Sequence, residues 1–355
     1  MMPAMLRRPL SRRSLLQLPL LLGGAALAPA CARSDPAPAS GTGADTAAGA
    51  APAKRLNIAV IPKGTTHEFW KSVHAGAVKA ARELDVDVTW KGPLKEDDLK
   101  SQIDLVQSFT AQRVSGIVLA PLNDKALISS VNAAANAGVP VVIFDSALSG
   151  GNSVSFVATD NRAAGGLAAA RLIELTPGPG KVVVLRYQEG SASTNEREEG
   201  FLAGLAARPD LQVVSSNQYG GATTESAFKA AERVLLAQNA AGGGVTAVFT
   251  PNESTTFGML LALQKSNLAG KLKFLGFDAS DKLLSAVEAG QLEALVLQDP
   301  FNMGYLAVTT IVEHLRGKKV APRADTGAQL VDARNLKDPK IQQLVKPDLA
   351  KWLGP

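Results

Sequence analysis

The sequence predicts an α/β protein of two Rossmann-like, doubly wound lobes. From Leu56 onward, short β-branched runs alternate with longer amphipathic ones, the rhythm of βαβ units and parallel sheets. Runs such as "KVVVLR" and "PVVIF" are almost continuously apolar, as strands covered by helices on both faces should be. Ten such runs are too many for one small doubly wound domain, and they fall into two halves of similar rhythm.

The segments ahead of that body read differently. Arg7, Arg8, Arg12 and Arg13 precede an apolar run, Leu15 to Leu27, and then the small residues of "LAPAC". These are the three regions of an export signal, assigned to residues 1–30. The apolar stretch is interrupted by Gln17 and Pro19, and it falls short of the roughly 20 residues a membrane span needs. "SRRSLLQ" resembles the twin-arginine export motif. Cys31 is the only cysteine, so no intramolecular disulfide forms. It closes "LAPAC", which resembles a bacterial lipoprotein box and implies a lipidated anchor to a membrane; a stray thiol is the alternative. Residues 31–54, dominated by Ala, Gly, Pro, Ser and Thr, have little to bury and read as a flexible tether.

Composition excludes some partners. Of 355 residues, 46% are hydrophobic and 19% charged, a globular balance able to bury a core. The formal charge is +5, but four of those charges are the leader arginines, and taking them away leaves +1. With no long basic block in the body, a nucleic-acid surface is unsupported.

The strands of the first half are expected at Leu56–Ile61, Asp87–Trp90, Gly116–Ala120, Pro140–Asp145 and Ser155–Thr159. Those of the second are Lys181–Arg186, Gln212–Ser216, Ala247–Thr250, Lys273–Asp278 and Glu293–Gln298. Between them, helical periodicity marks Phe69–Leu84, Leu99–Gln112, Leu127–Ala137, Ala163–Leu175, Glu196–Ala207, Glu225–Gln238, Thr256–Ser266, Ser280–Ala289 and Phe301–Arg316.

Ligands of open α/β sheets bind outside the carboxyl ends of the strands, so the residues following each strand carry the functional reading. They are Lys63, His67, Glu68, Phe69 and Trp70; Asp145 and Ser146; Asp160, Asn161 and Arg162; Asn195 and Arg197; Asn252 and Glu253; Asp278; Gln298 and Asp299. Any one Asp or Asn here serves equally as a helix cap or turn residue. Their convergence from two lobes is what suggests a ligand. A sugar ring offers an apolar C–H face, on which aromatic rings pack, and an edge of hydroxyls, which planar Asp, Asn, Gln and Arg groups bind in pairs. Such a site rejects analogues that lack a hydroxyl, because its own buried polar groups are then left unpaired. Phe69 and Trp70 form a candidate wall, although neighbouring helical residues diverge and one of them can be plain core.

Taken together, "HEFWKSVHAGAVKAARELDVDV", "GIVLAPLNDKAL", "AGVPVVIFDS", "VATDNRAAGGLAA", "NEREEGF", "TPNESTTFGMLLAL", "GFDAS" and "LVLQDPFNMG" resemble the ribose/galactose type of periplasmic sugar-binding protein, the LacI-like type I family serving ABC transporters. The resemblance runs from Leu56 to about Pro347. It implies two lobes joined by a three-segment hinge, with crossings near Ala158–Thr159, Gln298–Asp299 and Gly327. The lobes would be residues 55–158 plus 299–327 and residues 159–298 plus 328–347. It further implies a monomer that hands a sugar to a membrane permease, with no cofactor and no catalysis. His67 would be the polar contact ahead of the stacking pair Phe69 and Trp70; Asp145, Arg197, Asn252, Asp278 and Gln298 would bind hydroxyls; Lys63 and Ser146 would complete the site. Departures from the ribose pattern are Ser146 in place of an Arg, Lys63 in place of a small polar residue, and a second-lobe aromatic out of register, with Tyr219 the nearest. Lys63, His67 and Arg197 raise an acidic or phosphorylated sugar as a possibility, with salt bridges to Glu68 or Glu198 as the plainer explanation.

Other readings are poorer. LacI-type repressors need an N-terminal helix-turn-helix, where this chain has an export signal and tether. "PGPGK" is followed by Val182 and a strand, unlike a phosphate loop. No G-x-S-x-G elbow or H-E-x-x-H spacing occurs. His67 and His74 are two helical turns apart, and structural or sugar-contacting use is expected of them rather than metal ligation. A polyol, nucleoside or autoinducer-type furanose, or service to a chemoreceptor, is the main alternative.

Overall fold

The structure, a computed structural model, describes residues 55–354; the expected export signal and tether, with Cys31, lie outside the described residues. The chain forms two six-stranded sheets. The first contains β1 (Asn57–Ile61), β2 (Asp87–Trp90), β3 (Gly116–Leu119), β4 (Val141–Phe144), β5 (Ser155–Ala158) and β11 (Arg323–Asp325), in the order β11-β5-β4-β3-β1-β2. The second contains β6 (Gly180–Arg186), β7 (Leu211–Tyr219), β8 (Ala247–Phe249), β9 (Lys273–Phe277), β10 (Ala294–Gln298) and β12 (Ala328–Val331), in the order β12-β10-β9-β8-β6-β7. Every pairing is parallel except β10 with β12. In each sheet the order reverses beside the first strand, between β1 and β3 and again between β6 and β8. That reversal opens a crevice at the carboxyl ends of the strands.

The helices are α1 (Glu68–Leu84), α2 (Leu99–Ala111), α3 (Ile128–Asn136), α4 (Asn161–Leu175), α5 (Ala192–Leu205), α6 (Thr224–Ala237), α7 (Glu253–Lys265), α8 (Asp281–Glu288), α9 (Pro300–Leu315), α10 (Pro339–Val345) and α11 (Leu349–Leu353). They cover both faces of both sheets. Val60, Val118 and Val142 join one apolar cluster with α1 and α9, while Ile61, Ile117 and Ile143 join another with α2 and α3. In the second sheet Val184 and Phe277 pack with α4 and α5, and Val183 and Phe274 with α6, α7 and α8. Successive residues of each strand thus face opposite cores, which is why the strands read as unbroken apolar runs.

The chain passes between the sheets at three places: after β5, after β10, and between β11 and β12. Gly327 lies in the third, in the left-handed region at φ 76°. The short strands β11 and β12 and the helices α10 and α11 do not stand out in the sequence. Helix α5 begins at Ala192 and α7 at Glu253, each earlier than periodicity indicates, and β7 runs on to Tyr219.

Candidate ligand-binding cleft

The two strand-end clusters face each other across one space. It is lined by Lys63, His67, Phe69, Trp70, Glu96 and Asp145 from the first lobe, and by Tyr187, Ser193, Thr194, Arg197, Asn252, Glu253, Asp278 and Gln298 from the second. Nine of the ten expected site residues are among them. The exception is Ser146, which is fully buried and whose Oγ accepts a hydrogen bond from the Ser193 amide at 3.0 Å. Ser146 is therefore part of the seam between the lobes and does not line the cleft.

Each lobe supplies one carboxylate by the same device. Asp145 directly follows β4 and Asp278 directly follows β9, and both have positive φ, 61° and 63°. Asp is among the few residues that tolerate this region. The turn carries each side chain off its strand into the crevice. Neither is a helix cap; capping falls to Asp160, Asn252, Ser280 and Asp299. Asn252 combines the two expected roles. Its Oδ1 accepts from the Thr255 amide at 3.3 Å and hydroxyl at 2.6 Å, while the residue still lines the cleft.

The buried cations all have carboxylate neighbours, but not the expected ones. Lys63 Nζ lies 3.1 Å from Asp145 Oδ2, and it donates to Ser193 Oγ at 3.0 Å and Ser191 Oγ at 3.3 Å across the cleft. His67 Nδ1 lies 2.8 Å from Glu96 Oε1. Arg197 Nη1 stands 3.9 Å from Asp278 Oδ2 and donates to the Pro251 carbonyl at 2.9 Å; its Nε donates to Asn161 Oδ1 at 2.8 Å. Salt bridges of these three to Glu68 or Glu198 do not form: Glu68 pairs with Lys71, and Glu198 with Arg186. Arg197 Nη2 and Gln298 Oε1 are buried without a protein partner among the described residues. Gln298 Nε2 donates to Asp278 Oδ1 at 2.7 Å.

Phe69 and Trp70 both line the cleft, and both also belong to the apolar core of the first lobe. Trp70 and Phe69 meet edge to face with centroids 4.9 Å apart, and Trp70 meets Phe144 in the same way at 6.1 Å. Trp70 Nε1 donates to Glu96 Oε1 at 2.6 Å. The second-lobe aromatic is Tyr187, not Tyr219. Tyr219 is 40% exposed, beneath the Arg186 guanidinium, whereas Tyr187 is buried and its hydroxyl donates to Glu96 Oε2. His74 stacks on Trp90 at 4.5 Å, so the two early histidines do not share a site. Among the described residues no cluster of His, Cys, Asp and Glu is arranged to hold a metal.

Sequence reasoning missed Glu96, Tyr187, Ser193 and Thr194, and passed over Glu253. Glu96 sits in "KEDD", which looks like a solvated charge run. Tyr187 directly follows β6, so the strand-end rule applied to that position finds it. Glu253 accepts from the amides of Phe69 at 3.2 Å and Glu68 at 3.4 Å, capping α1 from the opposite lobe.

These surroundings move proton equilibria. Burial lowers the affinity of His67 for a proton, but Glu96, with Glu253 and Asp278 behind it, outweighs burial and raises the imidazole to about 9. For Glu96, burial works upward, yet His67, Lys63 and the Tyr187 hydroxyl bring it to about 2. Burial raises Glu253 to about 7, and it also raises Asp278.

Residues 58–319 match the model of the family described as "Periplasmic binding protein domain". The chain is similar to the D-allose-binding periplasmic protein of Escherichia coli, with 28% identity over 272 residues, 74% of this chain and 86% of that protein. Among solved structures it is similar to a carbohydrate transporter solute-binding protein from Agrobacterium radiobacter in complex with D-arabinose (33% identity, TM-score 0.78, covering 83% of this chain and all, 100%, of that one). It is also similar to an ABC transporter solute-binding protein from Agrobacterium vitis with bound D-fucose (34% identity, TM-score 0.78, 82% of this chain and 100% of that one).

Proposed function

Because the chain belongs to the periplasmic binding protein family, we propose that it captures a neutral monosaccharide between its lobes and delivers it to the permease of an ABC importer. It works by binding and closure, without catalysis. The observation that carries this is convergence: planar hydrogen-bonding groups from the strand ends of both lobes meet beside Phe69 and Trp70 around one space. Two features favour a neutral ligand over a sugar acid or phosphate. Lys63, His67 and Arg197 each already face a carboxylate, and Glu253 and Asp278 add negative charge where an anion would sit. The groups left over, Arg197 Nη2 as donor and Gln298 Oε1 as acceptor, match hydroxyls, which do both.

The central free space measures only about 30 Å³, room for about one water molecule. A sugar therefore enters when the lobes part, and it takes over bonds that the lobes now make to each other. The site residues are Lys63, His67, Phe69, Trp70, Asp145, Arg197, Asn252, Asp278 and Gln298, joined by Glu96, Tyr187 and Glu253. The protein acts in the periplasm as a monomer, exported by the twin-arginine-like signal and held to the membrane by a lipid on Cys31. Among the described residues no helix is long and apolar enough to cross a membrane.

A thermal-shift screen of residues 54–355 against pentoses, hexoses, polyols, sugar acids, sugar phosphates and nucleosides tests the reading. Ligand at a hundredfold over its dissociation constant stabilises by about 2.7 kcal/mol. One neutral sugar should give a large shift that Asp145→Ala and Asn252→Ala abolish. Silence from all neutral sugars, with a shift from another class, sinks the substrate assignment.

A further inference from the structure

Glu96 belongs to the loop between β2 and α2, inside a run of charges, yet it is 5% exposed. Every polar atom it carries beyond the backbone amide is engaged at the cleft. Oε1 accepts from Trp70 Nε1 at 2.6 Å and pairs with His67 Nδ1 at 2.8 Å, and both donors belong to the first lobe. Oε2 accepts from the Tyr187 hydroxyl, and the Glu96 carbonyl accepts from Gln188 Nε2 at 3.0 Å; these donors come from the second lobe. The loop after β1 is kept bare to admit the side chain, since a Cβ on Gly64 would stand 2.8 Å from Glu96 Cγ.

We propose that Glu96 is a positioning residue that couples capture of ligand by the first lobe to docking of the second. The inference rests on the cleft being the sugar site. With Nδ1–H given to Glu96, the imidazolium of His67 has Nε2–H as its remaining donor, so its orientation is fixed before ligand arrives. The Trp70 ring is fixed in the same way through Nε1–H. A sugar seated on this frame holds His67 and Trp70 still, and they hold Glu96 aimed at a hydroxyl that arrives only on closure, that of Tyr187. A carboxylate suits the task because it accepts up to four bonds in one plane and so serves both lobes at once. The other charged groups facing His67 are Glu253 from α7 and Asp278 from the end of β9, and Glu96 also faces Lys63. Removing the Glu96 charge leaves those groups in place but takes away the closest partner of the imidazole.

Glu96→Gln and Tyr187→Phe, made in the whole protein, test this. Affinity for the monosaccharide that gives the largest thermal shift is measured by titration calorimetry at pH 6 and pH 8. Dissociation is followed by stopped-flow fluorescence of the tryptophans. Glu96→Gln should weaken binding about tenfold or more. The ratio to wild type should widen from pH 6 to pH 8, because loss of its nearest carboxylate lowers the affinity of the imidazole for its proton. Tyr187→Phe, which removes a single hydroxyl and is the safer variant to fold, should release ligand several-fold faster, with a ratio to wild type that does not change with pH. Wild-type affinity and release in both variants, with only a lowered melting temperature, overturn the proposal and leave the sugar site standing. A wild-type protein that binds no sugar overturns the sugar site and this inference with it.

Discussion

Asp145 and Asp278 are the same residue used twice, each held at positive φ directly after its strand ends. Strained, buried carboxylates in equivalent places are what a two-lobed clamp needs, since each half must present a fixed acceptor before the halves meet. Arg197 shows how the fixed geometry is made. Its Nε and Nη1 are tied to Asn161 and Pro251, and its plane lies over the Phe277 ring at 4.4 Å, which leaves Nη2 for ligand. Lysine cannot reproduce that fork, so Arg197→Lys should cost tenfold or more in affinity while keeping the charge, measured by calorimetry. A loss confined to stability would sink that role. The buried titrating groups also set a pH profile. Glu253, raised from 4.5 to about 7, contributes stability that is complete below pH 4.5 and lost as pH rises through 7. His67, raised from 6.5 to about 9, contributes below pH 6.5 and loses that as pH climbs through 9. Glu96, lowered from 4.5 to about 2, contributes above pH 4.5 and fades as pH falls towards 2. The melting temperature should therefore peak near about pH 4.5, where the gain from Glu96 is complete and the loss from Glu253 begins, and decline by several degrees towards pH 8. Glu253→Gln should flatten the decline between pH 5 and 7 but leave the part above it; an unchanged curve would contradict the burial of that carboxyl. At this scale the sequence was legible wherever a polar residue directly follows an apolar strand, as Asp145 and Asp278 do, or ends one, as Gln298 does. It was opaque where burial comes from a distant partner: nothing local in "KEDD" tells that Trp70, His67 and Tyr187 close over Glu96.

At the scale of elements, the two lobes solve one packing problem in the same way. Helices α1 and α9 touch backbone to backbone, where a Cβ on Gly76 would lie 1.8 Å from the Phe301 carbonyl oxygen and one on Gly304 would lie 2.0 Å from that of Val73. Helices α4 and α5 repeat this, with Gly165 against the Arg197 carbonyl at 2.0 Å and Gly200 against that of Arg162 at 2.0 Å. These carbonyls cannot move aside without shifting a helix, so Gly76→Ala and Gly165→Ala should each destabilise by about 1 to 3 kcal/mol or more in denaturant unfolding. Both should also weaken ligand binding, because α1 carries Phe69 and Trp70 and α5 carries Arg197. Wild-type affinity in Gly165→Ala despite lowered stability would break the link between the α4–α5 contact and the cleft. Eight of the ten expected strands could be read because both their faces are largely buried, leaving an apolar run that turn residues bound; β2 and β7, at the sheet edges, are more exposed. β11 and β12 could not, since "RAD" and "AQLV" are short, partly exposed and take their identity from the strands beside them. The start of α5 was hidden for a related reason: "ASTN" has turn composition, and its helical turn is held by the Ser193 amide donating to Ser146 of the other lobe and the Thr194 hydroxyl donating to the Ser191 carbonyl.

The whole molecule is joined by more than its three crossings. After β12 the chain lays α10 on the second lobe, with Ile341 in the core of Val331 and Leu336, and Gln342 Nε2 donating to the Leu336 carbonyl at 2.7 Å. It then returns to the first lobe as α11, where Arg82 donates to the carbonyls of Lys351 at 3.1 Å and Trp352 at 2.9 Å, and Trp352 meets Phe301 at 6.3 Å. Between the two docking points, residues 346–348 span a cavity of about 410 Å³ whose other walls are Phe69 and Ser72 from one lobe and Asp278 to Asp281 from the other. Three residues reach at most about 10 Å, so little slack is stored there. Separating the lobes along this edge must lift α11 from α1. That helix has no buried residue, so it is held by a few polar and ring contacts, worth about 1 to 2 kcal/mol in all. A bond of that size is weak enough to break in every binding cycle and strong enough to bias the closed form. Arg82→Ala, or removal of residues 347–355, should therefore speed ligand release by about 5- to 30-fold, with the larger effect from removal. The cleft residues are untouched by either change, so the set of sugars bound should stay the same. Release rates equal to wild type in stopped-flow measurements would show that the lobes part without disturbing this segment.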